Sequence, residues 1–274
     1  MTRNLTEVAL KEGETILNAL DRWMVPLNRM GMSADFADLL IRTLERRDHL
    51  PEHERAALRS LSWRVRHFAP DEDIVAEASE PAESCLLVEG FACRANGFSD
   101  GRRQISALHV PGDFVDLHSL LLAAMDHSVT ALTPCKVAFV RHEALRQISE
   151  TSPHLARMLW MLSVNDAAIL RNWIACMGRR SSEAHLAHVI CEMFLRLQVV
   201  GLTEGASFEL PISQLTMADV LGLSLVHVNR MLQNLRATGF VSWNKHIVTI
   251  HDWNGLAALA EFDPTYLNLR GVPK

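Results

Sequence analysis

The spacing of hydrophobic residues changes along the chain, and each change predicts a different kind of structure. Over roughly the first sixty residues, apolar side chains recur every three or four positions, which is the spacing of one helix face. From Val65 to Val140, short apolar runs alternate with turn residues, as they do in antiparallel strands. Helical spacing returns after Ser152. The pattern therefore predicts an α+β chain in which a β domain lies between helical segments.

Six short apolar runs within the β segment are predicted to be strands. They span residues 73–76, 85–88, 91–94, 104–110, 129–132 and 136–140. Turn-forming sequences such as Glu89-Gly90 and Pro111-Gly112-Asp113 separate them. Several short strands at this spacing favour an antiparallel roll or barrel.

Helices are predicted on both sides of the β segment. Residues 1–32 have the pattern of an amphipathic appendage, and Ser152-Pro153 begins a long helix, because serine caps helices and proline is tolerated in the first turn. Apolar residues recur along this long helix at intervals of three and four. That spacing favours packing against the same helix of a second copy, and packing on its own domain is the alternative. The predicted stripe consists of Leu155, Leu159, Leu162, Ile169 and Trp173.

The region after residue 182 has the pattern of a winged helix-turn-helix. One-face spacing predicts a helix from about 186 to 197, and a short strand follows at 208–211. Two helices then share the segment 214–233, in which Gly222 supplies the permissive backbone of a tight interhelical turn. A hairpin that forms the wing is predicted at 240–243 and 247–250.

The second helix of this pair presents side chains that suit DNA recognition. Val228 and Met231 face the first helix, which leaves small, polar and cationic groups on the outward face. Base edges and phosphates accept such groups. The candidate DNA-contacting residues are Ser224, Val226, His227, Asn229, Arg230 and Gln233 on this helix, Ser213, Gln214 and Thr216 at the start of the first helix, and Lys245 on the wing.

Composition and charge exclude several classes of protein. The 274 residues carry a net charge of −5, but cations and acids balance from Arg179 onward, so the acidic excess lies in the N-terminal part. Charged residues interrupt every apolar run, and acidic residues near the start argue against a secretory signal. Five scattered cysteines indicate reduced thiols and a cytoplasmic location. Because no phosphate loop, His-Glu-x-x-His or Gly-x-Ser-x-Gly motif occurs, we expect no enzyme activity.

A set of short motifs carries a resemblance to a known family. The motifs are Val88-Glu89-Gly90, the hairpin at 99–105, Pro111-Gly112-Asp113-Phe114 and the helix-turn-helix around Gly222 and Arg230. Over roughly residues 63–252 the chain resembles the cyclic-AMP receptor protein/fumarate-nitrate regulator (Crp/Fnr) superfamily of bacterial transcription factors. The resemblance implies a cyclic-nucleotide-binding-like antiparallel β-roll, a long dimerisation helix and a C-terminal winged helix-turn-helix. It also implies a homodimer on near-palindromic promoter sites, RNA polymerase as a partner, and guanine reading by Arg230.

This resemblance divides the chain into four parts. Residues 1–32 are a helical extension, 33–151 the β-roll with flanking helices, 152–178 the dimerisation helix, and 179–274 the DNA-binding domain. The family's allostery implies that Gly178 and residues 179–182 form the pivot when an effector re-angles the two reading helices.

The chain departs from the family at the positions that hold a cyclic nucleotide. Asp116-Leu117 stands where a Gly-Glu pair holds the phosphate and ribose, and His127-Ser128 replaces the Arg-Ser pair that neutralises the phosphate. A carboxylate repels a phosphodiester and the arginine charge is lost, so we expect no cyclic AMP binding. No cysteine precedes Cys85, which argues against an iron–sulfur cluster near the N-terminus.

The identity of the effector therefore stays open. The candidate pocket residues are Asp116, His118, His127, Ser128 and Cys135. These side chains suit a small ligand, a metal ion or a haem, whereas an imidazole in a roll most often only bonds a neighbour, and the pocket is then vestigial. No cofactor follows from the sequence. The main interpretation is a sequence-specific transcription regulator. The alternative, which the acidic net charge supports, is a small-ligand, metal or haem sensor or adaptor with weak or lost DNA binding.

Overall fold

The computed structural model describes residues 36–269, which form two compact units. The roll unit comprises the described residues up to 170, and the winged-helix unit comprises residues 171–269. The predicted extension at 1–32 lies outside the described residues. Within 36–269 no helix is long and apolar enough to cross a membrane.

The roll unit is built on two antiparallel sheets. Its strands are β1 (Arg64–Phe68), β2 (Asp73–Val75), β3 (Glu83–Glu89), β4 (Ala92–Gly97), β5 (Arg103–His109), β6 (Ser128–Ala131) and β7 (Cys135–Arg141). One sheet has the order β1-β7-β3 and the other the order β2-β6-β4-β5. Apolar side chains from both sheets meet in one core, which includes Phe68, Leu87, Val129 and Val137. The predicted antiparallel roll is confirmed.

The strand that the apolar pattern missed is β1. Its sequence, Arg-Val-Arg-His-Phe, contributes only Phe68 to the buried core, so its hydrophobic signal is weak. It nevertheless pairs with β7 along its whole length, from Arg64 opposite Phe139 to Phe68 opposite Cys135. Backbone pairing, which leaves little trace in side-chain spacing, therefore places this strand.

The turn between β3 and β4 requires a glycine. Gly90 has a φ of +90°, and a Cβ there would lie 2.4 Å from the carbonyl oxygen of Pro134. The backbone angle and the close approach each exclude a larger residue. The Glu89-Gly90 turn predicted from the sequence is thus confirmed, and its glycine also lets the 133–135 segment pack closely.

Helices cover the β3–β7 side of the roll. They are α1 (Phe36–Glu45), α2 (Glu52–Arg59), α3 (His142–Thr151) and the first part of α4 (Pro153–Arg179), and a short 3₁₀ turn spans Leu117–Leu120. The helices share a second core with the sheet, including Leu44, Leu86, Val140 and Leu145. The sequence did not predict α3, because it follows β7 without a turn residue to mark its start.

The interpretation of α4 needs a correction. Leu155, Leu159, Ile169 and Trp173, predicted to face a second copy, are all buried within their own chain. A different stripe is exposed, and it contains Trp160 (68% exposed), Val164 (52%) and Ile174 (57%). These positions, with exposed Ala167 and Arg171 between them, are three or four residues apart and so lie along one helix face. The alternative, packing of the predicted stripe on its own chain, is the correct one.

The winged-helix unit contains the end of α4 and the elements that follow it. These are α5 (Ser182–Val199), β8 (Thr203–Glu204), β9 (Ser207–Glu209), α6 (Gln214–Leu221), α7 (Leu225–Ala237), β10 (Val241–Asn244), β11 (Ile247–Ile250), α8 (Trp253–Ala260) and a 3₁₀ turn (Pro264–Leu267). The strands form one sheet in the order β10-β11-β9-β8. The predicted helix pair and wing are confirmed. The sequence did not predict β8 or α8, which packs on α5.

Candidate DNA interface and inner face of the roll

The helix-turn-helix is defined by two serine caps and one glycine. The Ser213 hydroxyl accepts a hydrogen bond from the Thr216 amide at 3.0 Å, and the Ser224 hydroxyl accepts one from the His227 amide at 3.3 Å. Between the helices, Gly222 has a left-handed φ of 66°. Capping satisfies amides that would otherwise lack a partner at the helix start, so the short turn between α6 and α7 has a defined geometry.

The outward face of α7 is open to solvent. Val226 is 80% exposed, and Arg230 and Gln233 are exposed on the same face, because their spacing is four and three residues. His227 and Asn229 lie half-buried beside them. Val228, Met231 and Leu235 are buried on the opposite side. The face therefore combines one cation, two amides, an imidazole and an apolar side chain.

The structure separates the remaining predicted contacts into two groups. Gln214 and Lys245 are exposed, at the start of α6 and on the turn of the wing. Thr216 is buried, and its hydroxyl lies 2.9 Å from that of Ser213. Ser213 and Thr216 therefore hold the first turn of α6, and their hydroxyls are bonded to each other.

Two positioning residues of α7 did not emerge from the sequence. Arg236 donates to the Trp243 carbonyl oxygen at 2.9 Å, which joins the end of α7 to the wing. The amide of Asn234 donates to the Glu183 carboxylate on α5. These bonds fix the orientation of α7 in its unit. The sequence marks Arg236 only as a cation in the last turn of α7, where a positive charge favours the helix end, and does not indicate its bond to the wing.

A buried polar network lies on the inner side of α5. The Glu192 carboxylate is fully buried and accepts from Arg196 at 3.1 Å, from Tyr266 at 2.7 Å and from Trp173 at 3.2 Å. Arg180 donates to Nδ1 of His188 at 2.8 Å, and Nε2 of His188 lies 3.1 Å from the Tyr266 hydroxyl. Burial, and then the Arg180 charge, lowers the pKa of His188 to about 3. A neutral His188 thus ties Arg180, in the predicted pivot, to α5.

On the inner face of the roll, His118 and His127 form a pair. Their Nε2 atoms lie 3.3 Å apart, and Nδ1 of His127 lies 2.7 Å from the Asp126 carboxylate. Burial, and then the charge of Arg94, lowers the pKa of His118 to about 4, and the same two causes lower the pKa of His127. Both imidazoles are therefore neutral near pH 7.

The charge beside this pair belongs to a residue that the sequence analysis did not single out. Arg94 on β4 is buried and forms a 2.7 Å ion pair with Asp166 on α4. Burying a guanidinium is costly unless a carboxylate compensates it. The sequence does hold a sign of this ion pair: Asp166 interrupts the apolar pattern of α4, and a carboxylate in such a position needs a cationic partner.

The five candidate pocket residues have different hydrogen-bond partners. Asp116 is fully buried and accepts from the Cys85 amide at 2.7 Å, and burial raises the pKa of its carboxyl to about 6. The Ser128 hydroxyl accepts from the Glu77 amide at 3.1 Å, and the Cys135 thiol donates to the Phe91 carbonyl oxygen at 3.2 Å. Among the five, hydrogen bonding joins only His118 to His127. The sequence predicted that the Asp116 carboxylate would repel a phosphodiester. Because this carboxylate is buried and accepts a hydrogen bond from the Cys85 amide, it does not face a ligand in that way.

The structure also bears on the metal alternative. Among residues 36–269, no group of three or more His, Cys, Asp or Glu side chains is arranged to hold a metal ion. All five cysteines are free and buried, and burial raises the pKa of Cys135, Cys176 and Cys191. The imidazoles of His118 and His127 are therefore not part of a group of three or more metal ligands among residues 36–269.

Comparison with known proteins agrees with both units. The family model of the cyclic nucleotide-binding domain matches residues 65–152, and that of the Crp-like helix-turn-helix domain matches residues 184–259. The chain is 28% identical over 200 residues to the transcriptional activator protein FnrL of Cereibacter sphaeroides, covering 71% of this chain and 79% of that protein. It is 30% identical over 170 residues to a probable transcriptional activator of Rhizobium leguminosarum bv. viciae, covering 62% and 69%.

A solved structure shares the fold. The structure of FixK2 from Bradyrhizobium japonicum has a TM-score of 0.66 and 24% identity, and the match covers 73% of this chain and 98% of that one. The two relatives named above are a transcriptional activator and a probable transcriptional activator. With the roll, the long helix and the winged helix-turn-helix in this order, the chain belongs to the Crp/Fnr family of DNA-binding transcription regulators.

Proposed function

We propose that two copies of the chain join along α4 and place their α7 helices in successive major grooves of a near-palindromic promoter site. The observation that carries this proposal is the solvent-open face of α7, held in a capped helix-turn-helix. A two-fold dimer of this kind requires half-sites about one helical turn apart.

Within each half-site, Arg230 is the proposed reader of guanine. Its guanidinium is exposed at the centre of the α7 face and presents the planar fork that matches O6 and N7 of guanine. Val226 offers an apolar surface to a thymine methyl group, and it cannot accept a hydrogen bond from cytosine. Asn229, His227 and Gln233 lie beside these two residues and reach base edges or phosphates.

Phosphate contacts are proposed for the edges of the interface. Gln214 and Lys245 are exposed at the two sides of α7 and can each reach a DNA strand. Ser213, Thr216 and Ser224 contribute by holding the helix starts, whose backbone amides favour anions. Because cations and acids balance from Arg179 onward, few phosphates are neutralised and the salt dependence of binding is modest.

The exposed stripe on α4 is the proposed dimer surface. Trp160, Val164 and Ile174 are large apolar side chains with more than half of their surface in solvent, along one face of a 27-residue helix. Such a stripe loses its contact with water when the same helix of a second copy packs on it. Dimer formation places the two α7 helices around a common two-fold axis.

The proposal extends to partners and to the effector. Since the relatives include transcriptional activators, we propose RNA polymerase as a partner and the bacterial cytoplasm as the place of action. Cyclic AMP is not expected to bind, because His127, which is neutral near pH 7, stands where the family has an arginine that neutralises the phosphate. The test is calorimetric titration with cyclic AMP, for which we expect no saturable heat.

Fluorescence anisotropy on duplex DNA tests the central part of the proposal. Arg230→Ala should weaken binding to a preferred site by about 1–3 kcal/mol and relax the preference at one base pair of each half-site. Arg66→Ala, an exposed arginine of the roll unit, is the matched control and should leave affinity unchanged. If the wild-type protein ignores duplex DNA in dilute salt, the sensor or adaptor function without DNA binding replaces this proposal.

A further inference from the structure

An apolar groove lies on the helical side of the roll unit, outside the sheets. Its walls are the 117–120 turn, α3 and the N-terminal part of α4, and its volume is 490 Å³. The large apolar side chains of its lining are Leu117, Leu120, Leu121, Leu159 and Trp160. A groove of this volume and composition falls within the range of small-molecule sites in proteins.

Two arginines stand at the edge of this groove. Arg146 extends from α3 and Arg157 from α4, and both are exposed. Neither forms an ion pair with a carboxylate among residues 36–269. Among the described residues of the lining, Glu150 is the only acid. With two arginines, one glutamate and a neutral His118, that lining carries one net positive charge.

We propose that this groove binds an amphipathic monoanion: an apolar chain or ring lies on the leucines and Trp160, and its carboxylate lies between Arg146 and Arg157. The apolar lining favours a body without polar groups, since each buried polar group without a partner costs free energy. Two arginines in one lining favour a planar carboxylate, because a guanidinium fork holds a carboxylate by charge-assisted hydrogen bonds. The single net charge favours one anionic group over two.

The position of the groove also links it to the long helix. Leu159 and Trp160 belong to α4, and Trp160 begins the exposed stripe proposed for dimerisation. His118 lines the groove and contacts His127, beside the ion pair between Arg94 and Asp166 of α4. A bound molecule therefore touches both α4 and the side chains that join α4 to the sheet. Any effect on DNA affinity rests on the proposed function, whereas binding in the groove does not.

Calorimetric titration of the full-length protein with decanoate, in the absence of DNA, tests this site. We expect saturable binding of one decanoate per chain and no binding of decyltrimethylammonium, which has the same tail and the opposite charge. The double variant Arg146→Gln/Arg157→Gln should weaken decanoate binding about tenfold or more, because charge-assisted bonds are lost. Arg141→Gln, an exposed arginine outside the groove, is the matched control and should bind decanoate like the wild type.

Tryptophan fluorescence places the ligand. Decanoate should change the tryptophan emission of the wild type with the same saturation as the calorimetric titration, and Trp160→Phe should reduce that change. Equal binding of the two amphiphiles, unchanged affinity in the double arginine variant, or no saturation would each overturn the proposal. Binding that appears only in a variant made monomeric by Ile174→Arg would overturn it as well, since a second copy would then fill the groove. A failure of DNA binding alone leaves these readouts intact and counts against the proposed function instead.

Discussion

The exposed stripe on α4 leads to a quantitative prediction about dimer stability. Ile174 is 57% exposed in the isolated chain, and full burial of such a side chain contributes roughly 1.5–3 kcal/mol. Covering the exposed part should therefore contribute about 1 kcal/mol per copy and about 2 kcal/mol per dimer. Ile174→Arg removes this contribution and places two like charges in a two-fold interface, which adds a repulsive cost.

Sedimentation velocity over a concentration series measures the effect. A loss of about 2 kcal/mol corresponds to a dimer dissociation constant raised roughly thirtyfold, and the charge should raise it further. Affinity for a two-half-site DNA duplex should fall in parallel, because each copy then binds alone. Leu202→Arg is the matched control: Leu202 is 47% exposed and lies after α5, outside α4, so the dimer should persist.

A second variant separates the two faces of α4. Leu159 is buried in the core of its own chain, so Leu159→Ala should lower the unfolding free energy by about 2–5 kcal/mol and leave the dimer intact. An unchanged dimer in Ile174→Arg, or dissociation caused by Leu159→Ala in a folded protein, would refute the assignment of the exposed stripe as the interface.

Three further predictions concern single residues. Burial raises the pKa of Asp116 from 3.8 to about 6, so the folded state binds more protons between these values and stability falls as the pH rises through them. Asp116→Asn should remove that pH dependence and, in urea titrations at pH 7, raise the unfolding free energy by roughly 2 kcal/mol. The prediction is contradicted if the Asp116→Asn protein is less stable at pH 7 than at pH 4. Gly90→Ala should lower the unfolding free energy by at least about 2 kcal/mol, because of the positive φ of Gly90 and the close Pro134 carbonyl oxygen. An unaltered midpoint of thermal unfolding would be inconsistent with that turn. Arg236→Gln should weaken DNA binding up to about tenfold, because the hydrogen bond that joins α7 to the wing is lost. Circular dichroism should show unchanged helix content, and full DNA affinity would exclude Arg236 as a positioning residue.

Local chemistry made much of this fold predictable. Gly90 and Gly222 were predicted as turn residues from their immediate neighbours, and the structure places both in that role. The strands of the roll were visible for the same reason, since their apolar residues alternate with turns. The weakly apolar β1 was the exception, because its partner β7 lies about seventy residues away.

The errors arose where distant residues decide the outcome. Spacing along α4 identified a hydrophobic stripe but not which surface covers it, and the roll unit itself covers Leu155 and Leu159. The role of Arg94 depends on Asp166, and the role of Glu192 depends on Tyr266, and neither pair is close in the sequence. The effector-pocket role of Asp116, His118, His127, Ser128 and Cys135 stays a prediction, and hydrogen bonding joins only His118 to His127 among them.

The most direct test of the account is selection of binding sites from a random pool of duplex DNA by the wild-type protein and by Arg230→Ala in parallel. The wild type should enrich two inverted half-sites about one helical turn apart, each with a strongly preferred guanine. Arg230→Ala should retain the spacing and lose the preference for that guanine. A single unpaired half-site, no enriched sequence, or the same motif in both selections would contradict a two-fold dimer that reads DNA through Arg230.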